Sequence, residues 1–558
     1  MSVKLPIGID GFEKLRAEGY YYVDKSNFIE ELLQKSFEVN LITRPRRFGK
    51  TLTMSMMADF FDLRKDSKAI FDGLKIADNH DLCRKWQNQW PVLFLTLKSV
   101  EGLRFDDAYA MLVAVISDLC ITHYYLADSG RVNEVDRITF EHLAKKTATQ
   151  EELKNSLYIL MRMMCAHWEK PVILLLDEYD VPLANSSECG FYQQMLDVMR
   201  AFLGKALKTN QFLKFAVVTG CLQIAQESIF TGTNNFVTDS ISGERFSEFL
   251  GFTSDEVAML LADTGLQGHG EEIRTWYDGY RFGSIDIYCP WDVLNHVNRL
   301  LDQPGAKPES YWKNTSHNGI LRSFIDRTDL AVNEKFELLV SGGCIRENIC
   351  QNLTYDMLHS SESNLWSILY LTGYLTMAGP EYVSDSIQAV DDKVNLRIPN
   401  EEIKSIFAET IAIWVRDKVG MMDRSDLFHA FWSGDSEAVT DAISSLLFET
   451  ISYYDYKESY YHAFVAGLFA GAGYIVESNY EYGLGRPDIV VKDKKNRRAL
   501  IIEMKHSKNE EKLETDSHEA LMQIADQRYA EQVLRGYQKI LCYGIACCGK
   551  ECLAVIQD

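Results

Sequence analysis

The sequence predicts an α/β protein built from several domains, and three observations carry that expectation. A β-prone run enters a Gly-Lys-Thr loop and then a helical stretch, and an uninterrupted apolar run ends in two acids. Near the C-terminus, neighbouring apolar strands carry an Asp and a Glu-x-Lys. Strands alternating with helices imply a parallel sheet covered on both faces.

At 558 residues the chain exceeds what one hydrophobic core can fill, so it must divide into domains. Its apolar share of 46% and charged share of 25% are those of ordinary globular proteins and exclude a largely disordered chain. Met1 to Pro6 lack the apolar stretch of a secretory signal, and no later stretch has the uncharged apolar length a bilayer demands. A cytoplasmic protein with no membrane association is therefore expected. The 12 cysteines sit mostly in apolar runs, as Cys120, Cys165 and Cys221 do, which suits reduced core thiols. A net charge of -22 repels nucleic acid if spread evenly, so any contact with DNA or RNA has to be locally basic.

Val39 to Thr43 reads as a strand, Arg44-Pro45-Arg46-Arg47-Phe48-Gly49-Lys50-Thr51 as a loop, and Leu52 to Phe61 as a helix. This order is the context of a phosphate-binding loop. Backbone N–H groups at the helix start and Lys50 would hold the phosphates of ATP, and the Thr51 hydroxyl would ligate Mg²⁺. Arg47 and Gly49 belong to the same expected nucleotide site. A full loop motif begins with Gly five positions before Gly49, where this chain has Arg44.

Pro171 to Glu178 is a buried-strand run ending in Asp177 and Glu178. Asp177 would hold Mg²⁺ through water, and Glu178 would polarise the water that attacks the γ-phosphate. Val92 to Leu97 and Phe215 to Gly220 fit the same sheet, and Thr219 stands where a polar group would sense the γ-phosphate. Helical stretches near 106–127, 150–168 and 191–208 separate these strands. Thr253 and Glu256 form a capping box opening a helix, which suggests a lid. Arg245 and Arg281 are further candidates for phosphate charges, although a structural arginine is the commoner case.

The chain resembles the bacterial AAA-ATPase-like proteins with a fused PD-(D/E)XK domain. The resemblance rests on Tyr22-Val23-Asp24-Lys25, Arg44 to Thr51, Leu176 to Asp180, Glu227 to Gly232 with Asn234-Asn235, and Trp276 to Gly283, and it spans nearly the whole chain. In those proteins the loop typically reads Arg-Pro-Arg-Arg-Phe-Gly-Lys, which implies that Arg44 is a family trait and that ATP is bound. The expected organisation is an AAA-like P-loop domain over 1–240, a helical lid over 241–300, a mostly helical linker over 301–455 and a PD-(D/E)XK nuclease-like domain over 456–558. The linker, including Leu365 to Leu375 and Arg397 to Glu402, suggests packing and no chemistry.

The last hundred residues read as an amphipathic helix from Glu458 to Gly473, a strand from Tyr474 to Tyr482, a turn at Gly483 to Arg486, a strand from Pro487 to Val491, and a strand from Ala499 to Lys505. A helix followed by three strands resembles the PD-(D/E)XK core. Glu503 and Lys505 are separated by one residue and share a strand face, with Met504 turned the other way into the core. Asp488 opens the adjacent strand. Two such carboxylates can hold Mg²⁺, and Lys505 can orient or help deprotonate a water. Glu458 is the candidate third acid, with Glu481 as the alternative. Gln523 and Gln527, with Tyr529, match the family's helical Gln pattern, and Gln523 would bond the substrate phosphate or Lys505. Ile540 to Ile556 reads as a hairpin with Cys547, Cys548 and Cys552 at its turn, and no zinc spacing accompanies them.

Two functions follow from these motifs. The first is an ATP-controlled, Mg²⁺-dependent nuclease acting on DNA or RNA. The second is a nucleotide-dependent switch or scaffold whose C-terminal domain binds nucleic acid or a partner without cutting. Homo-oligomers are compatible with either.

Overall fold

A computed structural model of the protein describes residues 3–35, 37–223, 236–312, 335–336, 338–353, 355, 361–379, 393–407, 409–410, 425–450, 458–478, 487–527, 529 and 537–557. The Glu227 to Asn235 motif, the turn at Gly483 to Arg486 and Glu481 lie outside them. The chain divides into two compact units, one formed by Met1–Thr315 with Arg346–Ile403 and the other by Ser316–Ile345 with Lys404–Asp558.

The first unit is built on a five-stranded sheet in the order β2-β3-β4-β1-β5. Its strands are β1 (Val39–Thr43), β2 (Val92–Thr96), β3 (Val172–Asp177), β4 (Leu213–Gly220) and β5 (Phe236–Asp239). Every pairing in it is parallel. All six residues of β3 are buried, as its unbroken apolar run requires of a central strand covered on both faces. Helix α1 (Lys50–Phe61) leaves the loop after β1 and packs Met54, Met57 and Phe61 into a core shared with Ile42, Ile173 and Val217. The other expected helices run over Phe105–Thr122, Gln150–Lys154 with Ser156–Trp168, and Tyr192–Leu207. Thr253 caps the helix Ser254–Thr264 with the reciprocal Glu256 bond that the sequence predicted. A hairpin of β6 (Tyr280–Phe282) and β7 (Ile285–Ile287) follows.

The second unit holds a sheet of β8 (Ile475–Ser478), β9 (Ile489–Asp493), β10 (Arg498–His506), β11 (Lys539–Cys548) and β12 (Glu551–Ile556), hydrogen-bonded in that order. β8 to β10 are antiparallel, β10 and β11 are parallel, and β11 and β12 form the expected antiparallel tail hairpin. Period-two alternation gives the sheet two different cores. Ile502 and Met504 join helix α2 (Glu458–Gly471) in one core, while Ala499 and Ile501 join helix α3 (Leu513–Asp526) in the other. A Cβ on Gly544 of β11 would stand 2.2 Å from the Ser517 carbonyl oxygen and 2.6 Å from the Leu521 nitrogen, so glycine lets α3 lie directly on the sheet. Cys547 and Cys552 face each other as free thiols across the tail hairpin, inside the core. Among the described residues, no helix is long and apolar enough to cross a membrane.

Candidate nucleotide and nuclease sites

In the first unit, β1, β4 and β3 are adjacent and parallel, so their carboxyl ends open side by side. This brings Lys50, Thr51, Asp177, Glu178 and Thr219 together. Arg47 (φ 73°) and Gly49 (φ 84°) take left-handed backbone conformations that curl the loop onto the start of α1. The Lys50 ammonium donates to the Arg44 carbonyl at 2.9 Å and to the Pro45 carbonyl at 2.8 Å. The Thr51 hydroxyl donates to Asp177 Oδ2 at 2.8 Å, and the Thr219 hydroxyl donates to Asp177 Oδ1 at 2.6 Å. Thr96, which the sequence reading passed over, donates to Asp177 Oδ2 at 3.3 Å. Its sequence signal is the lone hydroxyl in the apolar run Val92 to Leu97, and only the structure sets it in register with Asp177.

Burial pushes the Glu178 carboxyl above its usual range against the pull of Lys50, and the residue sits at φ 53°. A carboxyl with raised proton affinity beside a phosphate loop is a better proton acceptor than an ordinary carboxylate. A cleft of about 350 Å³ opens over Gly49, Lys50, Thr51 and Glu178, with Phe252, Trp291 and Leu294 among its apolar walls. Its size and mixed lining match a small-molecule ligand. The hydroxyls of Thr51 and Thr219 with the Asp177 carboxylate form a hard-oxygen set, which fits Mg²⁺.

Arg44 occupies the place of the expected glycine, and the tertiary structure explains why. It is wholly buried, ion-paired with Asp239 at 2.6 Å, and it also donates to the Thr43, Asp239 and Arg245 carbonyls. The loop is therefore anchored to β5 through a side chain. Arg47 lines the cleft, yet its guanidinium donates to the Tyr311 carbonyl at 2.7 Å and stacks over Trp291. Arg245 donates to the Glu31 carbonyl and packs on Phe246, while Arg281 pairs with Asp286. Both have structural roles, and neither lines the cleft.

In the second unit, Asp488 lies one residue before Ile489, which is in register with Ile502, so Asp488 stands opposite Glu503. Asp488 and Val490 share the α3 face of the sheet with Ile501, Glu503 and Lys505. The Asp488 N–H donates to Glu503 Oε2 at 3.2 Å, and the Met504 N–H donates to Asp488 Oδ2 at 2.8 Å. Glu503 is only 2% exposed, and the Gln523 amide of α3 donates to its Oε1. Gln523 thus meets Glu503, where the sequence reading offered the phosphate or Lys505 as partners. Lys505 is partly buried two residues beyond Glu503.

The His462 ring N–H of α2 donates to the Asp488 carbonyl at 2.7 Å, a contact between residues 26 apart that no local pattern announces. Glu458 begins α2. Asp488 and Glu503 are hard-oxygen donors suited to a divalent cation. Among the described residues, no group of three or more His, Cys, Asp or Glu side chains is placed to hold a metal ion.

Comparison with known proteins agrees with both halves. Residues 6–230 match the AAA-ATPase-like family model, described as a predicted AAA-ATPase. Residues 456–556 match the model of the PD-(D/E)XK nuclease superfamily. An uncharacterized protein in the vnfD 5' region of Azotobacter chroococcum mcd 1 is 25% identical over 543 residues, covering 95% of this chain and 93% of that relative. The chain thus joins an AAA-ATPase-like segment to a C-terminal segment similar to the PD-(D/E)XK nuclease superfamily.

Proposed function

We propose that the protein binds ATP in its first unit and hydrolyses phosphodiester bonds of nucleic acid in its second, under nucleotide control. The observation that carries the cutting reading is the register of Asp488 against Glu503 on adjacent strands, with Lys505 on the same face and Gln523 holding Glu503 from α3. A divalent cation held by Asp488 and Glu503 would lower the pKa of a bound water and stabilise charge on the phosphate. Lys505 would orient that water or help take its proton. Gln523 keeps the Glu503 carboxylate turned toward the shared face.

In the first unit, Lys50 would exchange its two loop carbonyls for phosphate oxygens, and the N–H groups at the start of α1 would receive the same anion. Mg²⁺ at Thr51 and Asp177 would offset the triphosphate charge. Glu178, whose proton affinity is raised by burial, would act as the base for an attacking water. Thr219, fixed on Asp177, would report the γ-phosphate.

A second reading, a nucleotide-dependent scaffold that binds without cutting, draws support from Arg44 in place of the loop motif's first glycine and from the net charge of -22. A nuclease panel decides between the two. Wild type and Lys505→Ala are incubated with single- and double-stranded DNA and RNA, with Mg²⁺ or Mn²⁺, with and without ATP. Metal-dependent cleavage that disappears in Lys505→Ala supports the nuclease; no cleavage of any substrate by wild type leaves the scaffold.

A further inference from the structure

The Trp276 to Gly283 motif and the Arg397 to Glu402 segment take no part in either site, yet the fold brings them together. The Tyr277 hydroxyl donates to the Glu309 carbonyl at 3.1 Å and lies 3.2 Å from the Glu309 N–H. The Asn400 amide donates to the Asp278 carbonyl at 2.8 Å. Gly279 sits at φ 92°, and a Cβ there would come 2.2 Å from the Pro399 carbonyl oxygen, so glycine alone permits this approach. The Tyr280 ring stacks on Trp312 at 6.0 Å with 13° between planes. Four consecutive residues therefore seat two separate stretches, 309–312 and 399–402. Glu402 fastens these stretches to each other, its Oε1 accepting the N–H groups of Tyr311 at 2.6 Å and Trp312 at 2.8 Å.

Both stretches lie where the polypeptide leaves the first unit, whose parts end at Thr315 and Ile403. On its other side the same turn touches the nucleotide loop. The Phe48 ring stands edge-on to Tyr280 at 5.0 Å. Arg47 donates to the Tyr311 carbonyl at 2.7 Å and stands 4.0 Å from Asp292, a fully buried carboxylate. Burial and the adjoining Asp292 push the Glu402 carboxyl up to about 10, so Glu402 keeps its proton at neutral pH, and burial raises Asp292 beside Arg47 as well. Arg47 also lines the cleft. One guanidinium thus lines the cleft and stands beside the buried acid pair, so an anion bound in the cleft would compete with that pair for it.

We propose that the Tyr277–Tyr280 turn relays nucleotide occupancy from Arg47 and Phe48 to the two chain stretches that lead out of the first unit. The inference rests on the nucleotide reading of the loop. Hydrogen exchange by mass spectrometry on the full chain tests it, with and without MgATP. In wild type, MgATP protects 44–51 and alters exchange over 309–312 and 399–407 by about fivefold, the scale of one hydrogen bond. Glu402→Ala, outside the cleft, keeps protection at 44–51 and loses the response at the two stretches. Glu402→Gln, which retains the acceptor oxygen and mimics the protonated acid, restores it. Protection at 44–51 with no change at 309–312 and 399–407 in wild type overturns the relay alone, and this outcome does not depend on either variant folding. No protection at 44–51 overturns the relay and the nucleotide reading together.

Discussion

The Glu503 carboxylate accepts the Asp488 N–H at 3.2 Å, and the Asp488 carboxylate in turn accepts the N–H next to Glu503, that of Met504, at 2.8 Å. Each acid holds the strand end that carries the other. The two carboxylates are therefore positioned by the sheet itself, before any ligand arrives.

This arrangement separates metal binding from proton transfer. Asp488→Asn keeps an oxygen to accept the Met504 N–H, so the fold should persist while saturable Mg²⁺ or Mn²⁺ binding is lost. Lys505→Ala should keep metal binding and lower cleavage about 10²–10⁴-fold, the range for loss of a positioned proton-transfer group. Calorimetric metal titration beside a cleavage assay reads both, and intact metal binding in Asp488→Asn would contradict the assignment.

Arg44→Gly writes the ordinary loop motif into the chain and should nevertheless harm it. The Asp239 partner is left as a buried charge without its guanidinium, a loss of about 3–5 kcal/mol for a broken buried pair. Thermal unfolding should show a clearly lowered Tm. An unchanged Tm would mean that the pair does not anchor the loop.

Lys50→Ala should weaken MgATP binding about 10–100-fold, as expected for removing a charged hydrogen-bond donor from phosphate. Thr51→Ala should act differently, since its hydroxyl reaches Asp177 at 2.8 Å and would face the cation. In that variant, affinities measured with Mg²⁺ and with a chelator should converge. Equal losses for Thr51→Ala in both conditions would exclude a cation at Thr51 and Asp177.

Glu402 sets a pH dependence of stability. Its folded-state proton affinity lies above the unfolded one, so the folded chain binds the extra proton, and this group's contribution to stability is fully present below the ordinary carboxyl range and lost as pH rises toward about 10. Glu402→Gln needs no proton and should flatten the decline between neutral and alkaline pH. Denaturant titrations at several pH values test this, and parallel curves for wild type and variant would refute it.

Gly544→Ala should cost cleavage without touching any acid. Its Cβ would meet the backbone of α3 at 2.2 Å, so the helix must move and Gln523 with it. Metal affinity should fall together with turnover, because Glu503 loses the Gln523 amide that orients it. Wild-type activity in this variant would show that α3 need not lie so close.

Much of both sites was legible because the chemistry is local. Glu503 and Lys505 share a face by strand alternation alone, and the β3 run ending in Asp177 and Glu178 announces a central strand with a polar tip. The Gly49-Lys50-Thr51 step between strand and helix is likewise a short-range pattern. Thr253 and Glu256 declared their helix start in the same way.

What the sequence by itself determined is the type of each element and the residues at its functional end, since periodicity, capping and turn chemistry act within a few residues. Tertiary structure alone decided the partners: Arg44 with Asp239, His462 with the Asp488 carbonyl, Arg47 with Tyr311, and Glu402 with both Tyr311 and Trp312. These pairs lie from 26 to 264 residues apart. Only the packing of distant segments, driven by burial of their apolar faces, selects which polar groups must satisfy one another.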